Sequence, residues 1–374
     1  MKTVLPGGKI GILGGGQLGR MIAMSARQLG YGVIVLAPEG DAPASGVADR
    51  TIQASFEDSD AARVLADACN VVTYEFENVP EATVRGIEGR VPVWPDARLL
   101  GLTQDRIREH AFLHATGVAT APGQPVRSRI DLVAALTTVG APARLKSARG
   151  GYDGGGQWRI RDLADAPVLK GEYLLEAEVP FEKEISVIVT RSRTTEVFPI
   201  FENRHRDGIL WRTTTPADVS PRVARRAVEV ARAIADAAAL VGTLTVEMFV
   251  VDDDVLVNEL APRVHNSGHL TVEACVVSQF EQHIRAICGL PLVTPTLRSP
   301  AAMVNLLGTA DVRRVRLTGA EGALAIPDVH LHLYGKTQAR ARRKMGHVTA
   351  LAPTVEVALK NAEEAAAFLG FASG

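Results

Sequence analysis

Glu247 and Glu259 stand in TLTVEMFVVDDDVLVNELAPR, two alternating apolar runs around Asp252, Asp253 and Asp254. If those three acids form the turn of a hairpin, residues whose numbers sum to 506 oppose each other, and 247 plus 259 is 506. Directly opposed residues share a sheet face with Cβ atoms roughly 5 Å apart. Two bare carboxylates so placed repel unless something positive lies between them. Mg²⁺ suits the position, because it takes one or two carboxylates together with substrate phosphates. The alternative is a pair of exposed acids on an edge hairpin. A one-residue slip in register would also separate them, since side chains alternate with period two.

Three further sets of residues could hold phosphate. Residues 14–19 read GGGQLG and match G-x-G-x-x-G between a strand and a helix, where glycine lets the backbone approach an anion and the helix start offers free N–H groups. Glu39 lies 20 residues beyond Gly19, the spacing of a ribose-binding acid in a dinucleotide fold. The turn equally suits a phosphate monoester, or simply tight packing. The second set is Lys146 with the loop 149–157, where five of nine residues are glycine. So much glycine costs conformational entropy on ordering, and a lid whose amides close over phosphate accounts for it. A flexible solvent loop is the alternative. The third set is Lys336, Arg340, Arg342, Arg343 and Lys344, five cations within nine residues. They repel one another unless an anion or solvent screens them, and Arg and Lys both bind phosphate.

The elements that must carry these groups are legible in outline. Runs at 9–13, 32–36 and 71–74 read as strands and 18–29 as a helix stopped by Gly30, a rhythm that predicts a parallel sheet with crossover helices. A helix is expected at 104–115, strands at 143–147, 173–178 and 184–189, and a long helix at 220–241. After Thr294 the pattern is β-like and ends in an alanine-rich helix at 355–369. The 374 residues suffice for two or three domains. A net charge of −1, with 47% apolar and 22% charged residues, gives no general attraction to nucleic acid or membrane. Cys69, Cys275 and Cys288 are too few for a disulfide framework. No targeting segment or membrane-length apolar stretch is evident, so a cytoplasmic enzyme is expected.

Four segments, TYEFENVP (73–80), GGYDGGGQ (150–157), NELAPRVHNSGH (258–269) and YGK…RRKMGHVT (334–349), together resemble the ATP-grasp superfamily, and within it the N5-carboxyaminoimidazole ribonucleotide synthetase family of purine biosynthesis. The resemblance spans essentially the full chain. It implies an α/β protein, α+β in its C-terminal part: an N-terminal doubly wound parallel-sheet domain (1–104), a small lid (105–185) and a C-terminal mixed domain (186–374). The implied reaction joins 5-aminoimidazole ribonucleotide to bicarbonate at the expense of ATP, releasing ADP and phosphate. Arg106, Lys146, Glu176, Val179, Glu184 and Asn258 fall on ATP-binding positions, and Glu247 and Glu259 on ligands of two Mg²⁺ ions. Gly16, Gln17, Leu18, Glu75, Asn266, Ser267, Lys336 and Arg343 fall on nucleotide-binding positions. Tyr152, Asp153, Arg263 and His265 fall on catalytic ones. Glu77 and Asn78 would orient Glu75 or cap the turn at Pro80. The family's members are commonly homodimers.

Three residues depart from the family's pattern: His110 stands where a lysine is expected, Gly155 where a basic residue is common, and Ala148 where a larger polar residue is usual. Another ATP-grasp ligase, such as a formate-dependent glycinamide ribonucleotide enzyme or a biotin carboxylase, is the nearest rival reading. An NAD-dependent oxidoreductase would explain GGGQLG and Glu39 but leaves the paired glutamates unused. A non-enzymatic nucleotide sensor would bind ATP without turnover.

Overall fold

A computed structural model of the chain describes residues 2–151 and 155–374. It opens with four parallel strands, β1 (Lys9–Leu13), β2 (Gly32–Ala37), β3 (Arg50–Gln53) and β4 (Val71–Tyr74), in the order β3-β2-β1-β4. The helix Gln17–Gln28 connects β1 to its neighbour β2, whereas Ser59–Ala68 carries the chain from β3 at one edge to β4 at the other, beside β1. β1, β2 and β4 are buried almost throughout, as expected for a parallel sheet covered on both faces.

A four-stranded antiparallel sheet follows, β5 (Gly123–Val126), β6 (Ala143–Ser147), β7 (Gln157–Ile160) and β8 (Tyr173–Ala177), ordered β5-β8-β6-β7. The largest layer contains nine strands. It is built from β9 (Lys183–Arg191), β10 (Thr195–Val197), β11 (Phe201–Arg206), β12 (Ile209–Thr215), β13 (Gly242–Val251), β14 (Asp254–Ala261) and β15 (Ala301–Leu307), completed by Val329–Leu333 and Lys344–Leu351. The helix Pro221–Ala237 packs its apolar stripe of Val223, Ala227, Val230 and Ile234 against the β9/β13 part of this layer.

Several expected boundaries move, for local reasons. The helix expected at 104–115 begins at Arg106, because Asp105 caps it and accepts from the N–H groups of Ile107 and Arg108. Gln104 instead ends the preceding helix Ala97–Thr103. The helix expected at 220–241 spans Pro221–Ala237: Ser220 caps its start, and Ala239 turns to φ +50 just beyond its end. The last helix, Val355–Phe368, is capped by Thr354. Cys275 and Cys288 are buried and unpaired, and Cys69 is half-buried.

The β13/β14 hairpin pairs Glu247 with Glu259, but not through a three-acid turn. Asp252 and Asp253 alone form the turn, with φ +46 and +60, the left-handed pair that suits a right-twisted hairpin. The register there sums to 505, with Val251 opposite Asp254. A bulge at Asn258 then adds one residue to β14 and shifts the sum to 506 at the glutamates. Bulges of this kind re-aim side chains beside functional sites.

Candidate active site

One cavity of about 800 Å³ gathers residues from all three sheets. Of the residues singled out in the sequence, Gly16, Gln17, Leu18, Glu75, Arg106, Lys146, Glu176, Val179, Glu184, Glu247, Asn258, Glu259, Arg263, His265, Asn266 and Lys336 line it. Tyr152 and Asp153 lie outside the described residues. Ser267 and Arg343 do not border the cavity.

The paired glutamates are not left to repel each other. His265 Nε2 stands 2.9 Å from Glu247 Oε1, and Arg106 Nη1 donates to Glu259 Oε2 at 3.0 Å. Burial alone would raise the Glu247 carboxyl. The donor on His265, with His205 and Arg263 nearby, outweighs burial and holds it down to about 2. Among the described residues no group of three or more His, Cys, Asp or Glu converges as a metal site. A pair of opposed carboxylates still fits Mg²⁺, whose remaining positions go to phosphate and water.

Beside the hairpin, Lys146 on β6 pairs with Glu176 on β8 at 2.5 Å. It also donates to Oδ1 of the bulged Asn258 at 3.2 Å. The bulge therefore turns a strand residue toward a lysine carried by another sheet. Glu109 is buried here as well and accepts from the N–H of Leu260 at 2.5 Å. Burial, with the Arg106 guanidinium opposing and the Glu259 carboxylate adding, pushes its carboxyl up to about 8. Val179 lies beyond the end of β8 rather than within the strand. The rings of Phe181 and Phe249 stack at 4.5 Å on this side of the cavity. Glu184 bonds Nδ1 of His205. Burial works against a charged His205, but that carboxylate prevails and its pKa is raised.

At the opposite end, the glycine turn 14–19 holds a carboxylate of the protein itself. Glu75 accepts from Gly16 N–H and from Gly19 N–H at 2.6 Å. Glycine is required at 16 and 19 because a Cβ at either would press on Glu75 or on the carbonyl of Gly14. Burial raises the Glu75 carboxyl despite the two N–H groups, Lys336 and Arg263. Glu77 does not orient Glu75; it pairs with Nε of Arg263. Lys336 Nζ reaches Gln17 Oε1 at 3.3 Å and the carbonyl of Lys344 at 2.5 Å. Glu39 is exposed and away from the cavity, which removes the dinucleotide argument.

The basic segment divides. Lys336 and Lys344 line the cavity, whereas Arg340, Arg342 and Arg343 do not. Arg342 donates to the carbonyl of Asp207 and Arg343 to that of Gln338. Arg342, at φ +70, lies in the turn before Lys344. Ser267 is fully buried behind His265. Asn266 faces Asn305 in a reciprocal amide pair, 3.1 and 2.6 Å. Gly268 is needed for space, since a Cβ would lie 2.4 Å from Ile188 and 2.7 Å from Gln279. His269 is buried among the rings of Phe280, Tyr334 and His347.

His110, one of the departures, stands 3.0 Å from the carbonyl of Ala121 and 3.2 Å from Thr120 Oγ1, outside the cavity. Ala148 supplies a carbonyl to Arg106 N–H at 2.9 Å. Sequence reasoning missed His205, Glu109 and Asn305. His205 was hidden by an irregularity in β11 between Arg204 and His205, which defeats period-two counting. Glu109, one turn after Arg106, stands between Arg108 and His110, so its local sequence does not mark it as buried.

Lysine and arginine from the small sheet and its neighbouring helix thus face a carboxylate hairpin on the large sheet across one cavity, in a fold of the ATP-grasp class. Residues 111–280 match the ATP-grasp domain family, 8–104 the ribonucleotide synthetase preATP-grasp domain and 301–361 the phosphoribosylaminoimidazole carboxylase C-terminal domain. The chain belongs to the N5-carboxyaminoimidazole ribonucleotide synthase family. It is 46% identical over 363 residues to the synthase of Brucella melitensis, covering 94% of this chain and 99% of that one. It is 43% identical over 356 residues to that of Bacillus subtilis, covering 93% and 92%. Its fold superposes on an ADP complex of N5-carboxyaminoimidazole ribonucleotide synthetase with TM-score 0.91, 43% identity and 98% of both chains covered. It also superposes on the Aspergillus clavatus enzyme in complex with ADP and 5-aminoimidazole ribonucleotide, with TM-score 0.89, 32% identity and 96% and 98% covered.

Proposed function

We propose that the chain carboxylates 5-aminoimidazole ribonucleotide with bicarbonate and ATP, giving N5-carboxyaminoimidazole ribonucleotide, ADP and phosphate in purine biosynthesis. The observation that carries this reading is one cavity in which the carboxylate hairpin runs on, through Arg263 and His265, to Asn266 and Lys336. A phosphate-activating end and a nucleotide-holding end thus share a single wall.

ATP is assigned to Arg106, Lys146, Glu176, Val179, Glu184 and Asn258. The stacked Phe181 and Phe249 offer an apolar wall for a purine. A bicarbonate oxygen attacks the γ-phosphorus and ADP leaves, forming carboxyphosphate. The exocyclic amine of the imidazole then attacks the carboxyl carbon or the CO₂ released from it, phosphate departs, and the amine loses a proton. Bicarbonate and the γ-phosphate are both anionic, so Arg106, Lys146 and Arg263 lower the repulsion between them. Glu247 and Glu259 would hold Mg²⁺, which neutralises phosphate charge when bound. Exclusion of water protects carboxyphosphate, a role given to the loop 149–157 with Tyr152 and Asp153. Gly16, Gln17, Leu18, Glu75, Asn266 and Lys336 are assigned to the imidazole nucleotide. Lys344 takes the contact first given to Arg343, and Ser267 acts from behind His265.

The boundaries 1–104, 105–185 and 186–374, a homodimer and a cytoplasmic location complete the proposal. The preATP-grasp match over 8–104 supports the first boundary, and the prevalence of closed two-fold dimers supports the homodimer. The test is incorporation of labelled bicarbonate. An acid-labile product formed only with ATP and 5-aminoimidazole ribonucleotide supports the reading, and incorporation with another acceptor alone refutes it.

A further inference from the structure

Behind His265 a line of buried polar side chains runs into the nine-stranded sheet. Ser267 Oγ lies 2.9 Å from His265 Nδ1 and 2.8 Å from Ser186 Oγ on β9. Asn203 on β11 donates from Nδ2 to Ser186 Oγ at 2.9 Å. Thr213 on β12 donates from Oγ1 to Asn203 Oδ1 at 2.9 Å. Ser186, Thr213 and Ser267 are fully buried and Asn203 is 2% exposed. Side-chain hydrogen bonds in proteins mostly go to backbone or water. Four buried polar side chains joined in series to one another and, at one end, to His265 therefore call for an explanation beyond packing.

The line has a direction. An amide oxygen only accepts and an amide nitrogen only donates. Thr213 thus commits its hydrogen to Asn203, and Asn203 commits one of its own to Ser186. Ser186 Oγ is fully buried, and its two side-chain partners among the described residues are the Asn203 amide nitrogen, which only donates, and Ser267 Oγ. Its own hydrogen is therefore satisfied by pointing at Ser267, which in turn passes its hydrogen to His265 Nδ1. The backbone agrees independently, because Ser267 N–H also donates to that Nδ1, at 3.3 Å. With Nδ1 an acceptor, the hydrogen of the neutral ring sits on Nε2. That atom is the one 2.9 Å from Glu247 Oε1. Gln279 fixes the His265 backbone at the same time, accepting from its N–H at 2.8 Å and donating to its carbonyl at 2.6 Å.

We propose that Asn203 is a positioning residue of this site, whose amide, acting through Ser186 and Ser267, sets His265 in the Nε2–H tautomer with that hydrogen directed at Glu247. The inference rests on the reading of Glu247 as a metal ligand and His265 as an active-site group. One oxygen of Glu247 is thereby held by a donor and the other is left for the cation. The opposite tautomer would set a ring lone pair against the carboxylate. An outer shell of hydrogen bonds commonly orients metal-binding groups in this way.

Histidine-selective ¹⁵N labelling of the full-length protein without nucleotide or magnesium, with His265→Gln to assign the resonance, reads the tautomer directly. The wild type is expected to show a protonated Nε2 and a bare Nδ1. Asn203→Asp substitutes a group that can only accept at this point, so Ser186 donates to it, the line reverses, and the His265 hydrogen moves to Nδ1. Its kcat for ADP release should fall about 10–100-fold, the usual cost of losing an outer-shell partner, with the KM for ATP little changed. A purely structural role for Asn203 would lower stability without moving the tautomer. A wild-type His265 protonated on Nδ1, or an Asn203→Asp protein with unchanged tautomer and kcat, overturns the proposal. If Asn203→Asp does not fold, Ser186→Ala removes one hydroxyl without adding charge and decides the matter. It is expected to lower kcat about tenfold in a folded protein, and an unchanged kcat overturns the proposal. Loss of the assigned reaction altogether would leave the wild-type tautomer intact, so the two readings fail separately.

Discussion

At 14–19 the amides of Gly16 and Gly19 are already bound to Glu75, whereas at the other end of the cavity Gly150 is exposed and borders open space with Gly151. Two glycine-rich turns with similar composition thus do different work. The first lies at a strand-to-helix junction, where a buried anion hole left empty would cost more than one filled by a side chain. Its glycines make room for a carboxylate that belongs to the fold. The second adjoins Lys146, Arg106 and the glutamate hairpin, where Lys146 pairs with Glu176 within the small sheet and Arg106 pairs with Glu259 of the large one. Glycine content alone does not say whether a turn receives a ligand or a residue of its own protein.

If the hairpin end is chemical and the glycine-turn end partly structural, substitutions should separate activity from stability. The largest effect is expected from Glu259→Gln. Turnover measured as ADP release should fall at least about 100-fold, the scale of losing one preorganised electrostatic group, while the denaturant midpoint barely moves. Near-normal turnover would remove the metal assignment and the contrast with it. Glu75→Gln should behave oppositely. An amide NH₂ then faces a backbone N–H, and stability should drop by about 1–3 kcal/mol in chemical denaturation. An unchanged midpoint would show that the first turn does not need its carboxylate.

Lys336→Ala sharpens the contrast within the nucleotide end. Loss of a charged hydrogen-bond donor should raise the KM for 5-aminoimidazole ribonucleotide about tenfold or more, with little effect on that for ATP. Equal effects on both would move Lys336 out of the nucleotide site. The last effect concerns Glu109. Its carboxyl is raised to about 8 by burial, so the folded protein holds a proton that the unfolded chain has released by about pH 5. That contribution is complete at low pH and is lost as pH rises toward 8. Between pH 6 and 8 the wild type should lose about 2 kcal/mol more stability than Glu109→Gln. Parallel pH profiles for the two proteins would contradict this.

The parallel sheet and the pairing of Glu247 with Glu259 were legible because both rest on local alternation. The pairing was reached through a three-acid turn, however, and the structure reaches it through a two-residue turn and a bulge at Asn258. Two departures from the simple count cancelled. Where one irregularity stands alone, legibility fails. His205 follows a break in the pairing of β11; within the basic segment, where the resemblance singled out Arg343, it is Lys344 that lines the cavity. The filling of the glycine turn was not legible, since Glu75 lies 59 residues from Gly16 and only the β1/β4 pairing brings them together. The line from Thr213 to His265 likewise joins three strands and a loop far apart in sequence, and no local pattern announces it.

The central claim is that the two ends of the cavity act on one another's ligands. The most direct measurement is ADP release from ATP and Mg²⁺, with 5-aminoimidazole ribonucleotide and bicarbonate each present or omitted. The account predicts slow release without them and strong stimulation only when both are present. A folded, ATP-binding protein whose ADP release ignores either co-substrate would contradict it.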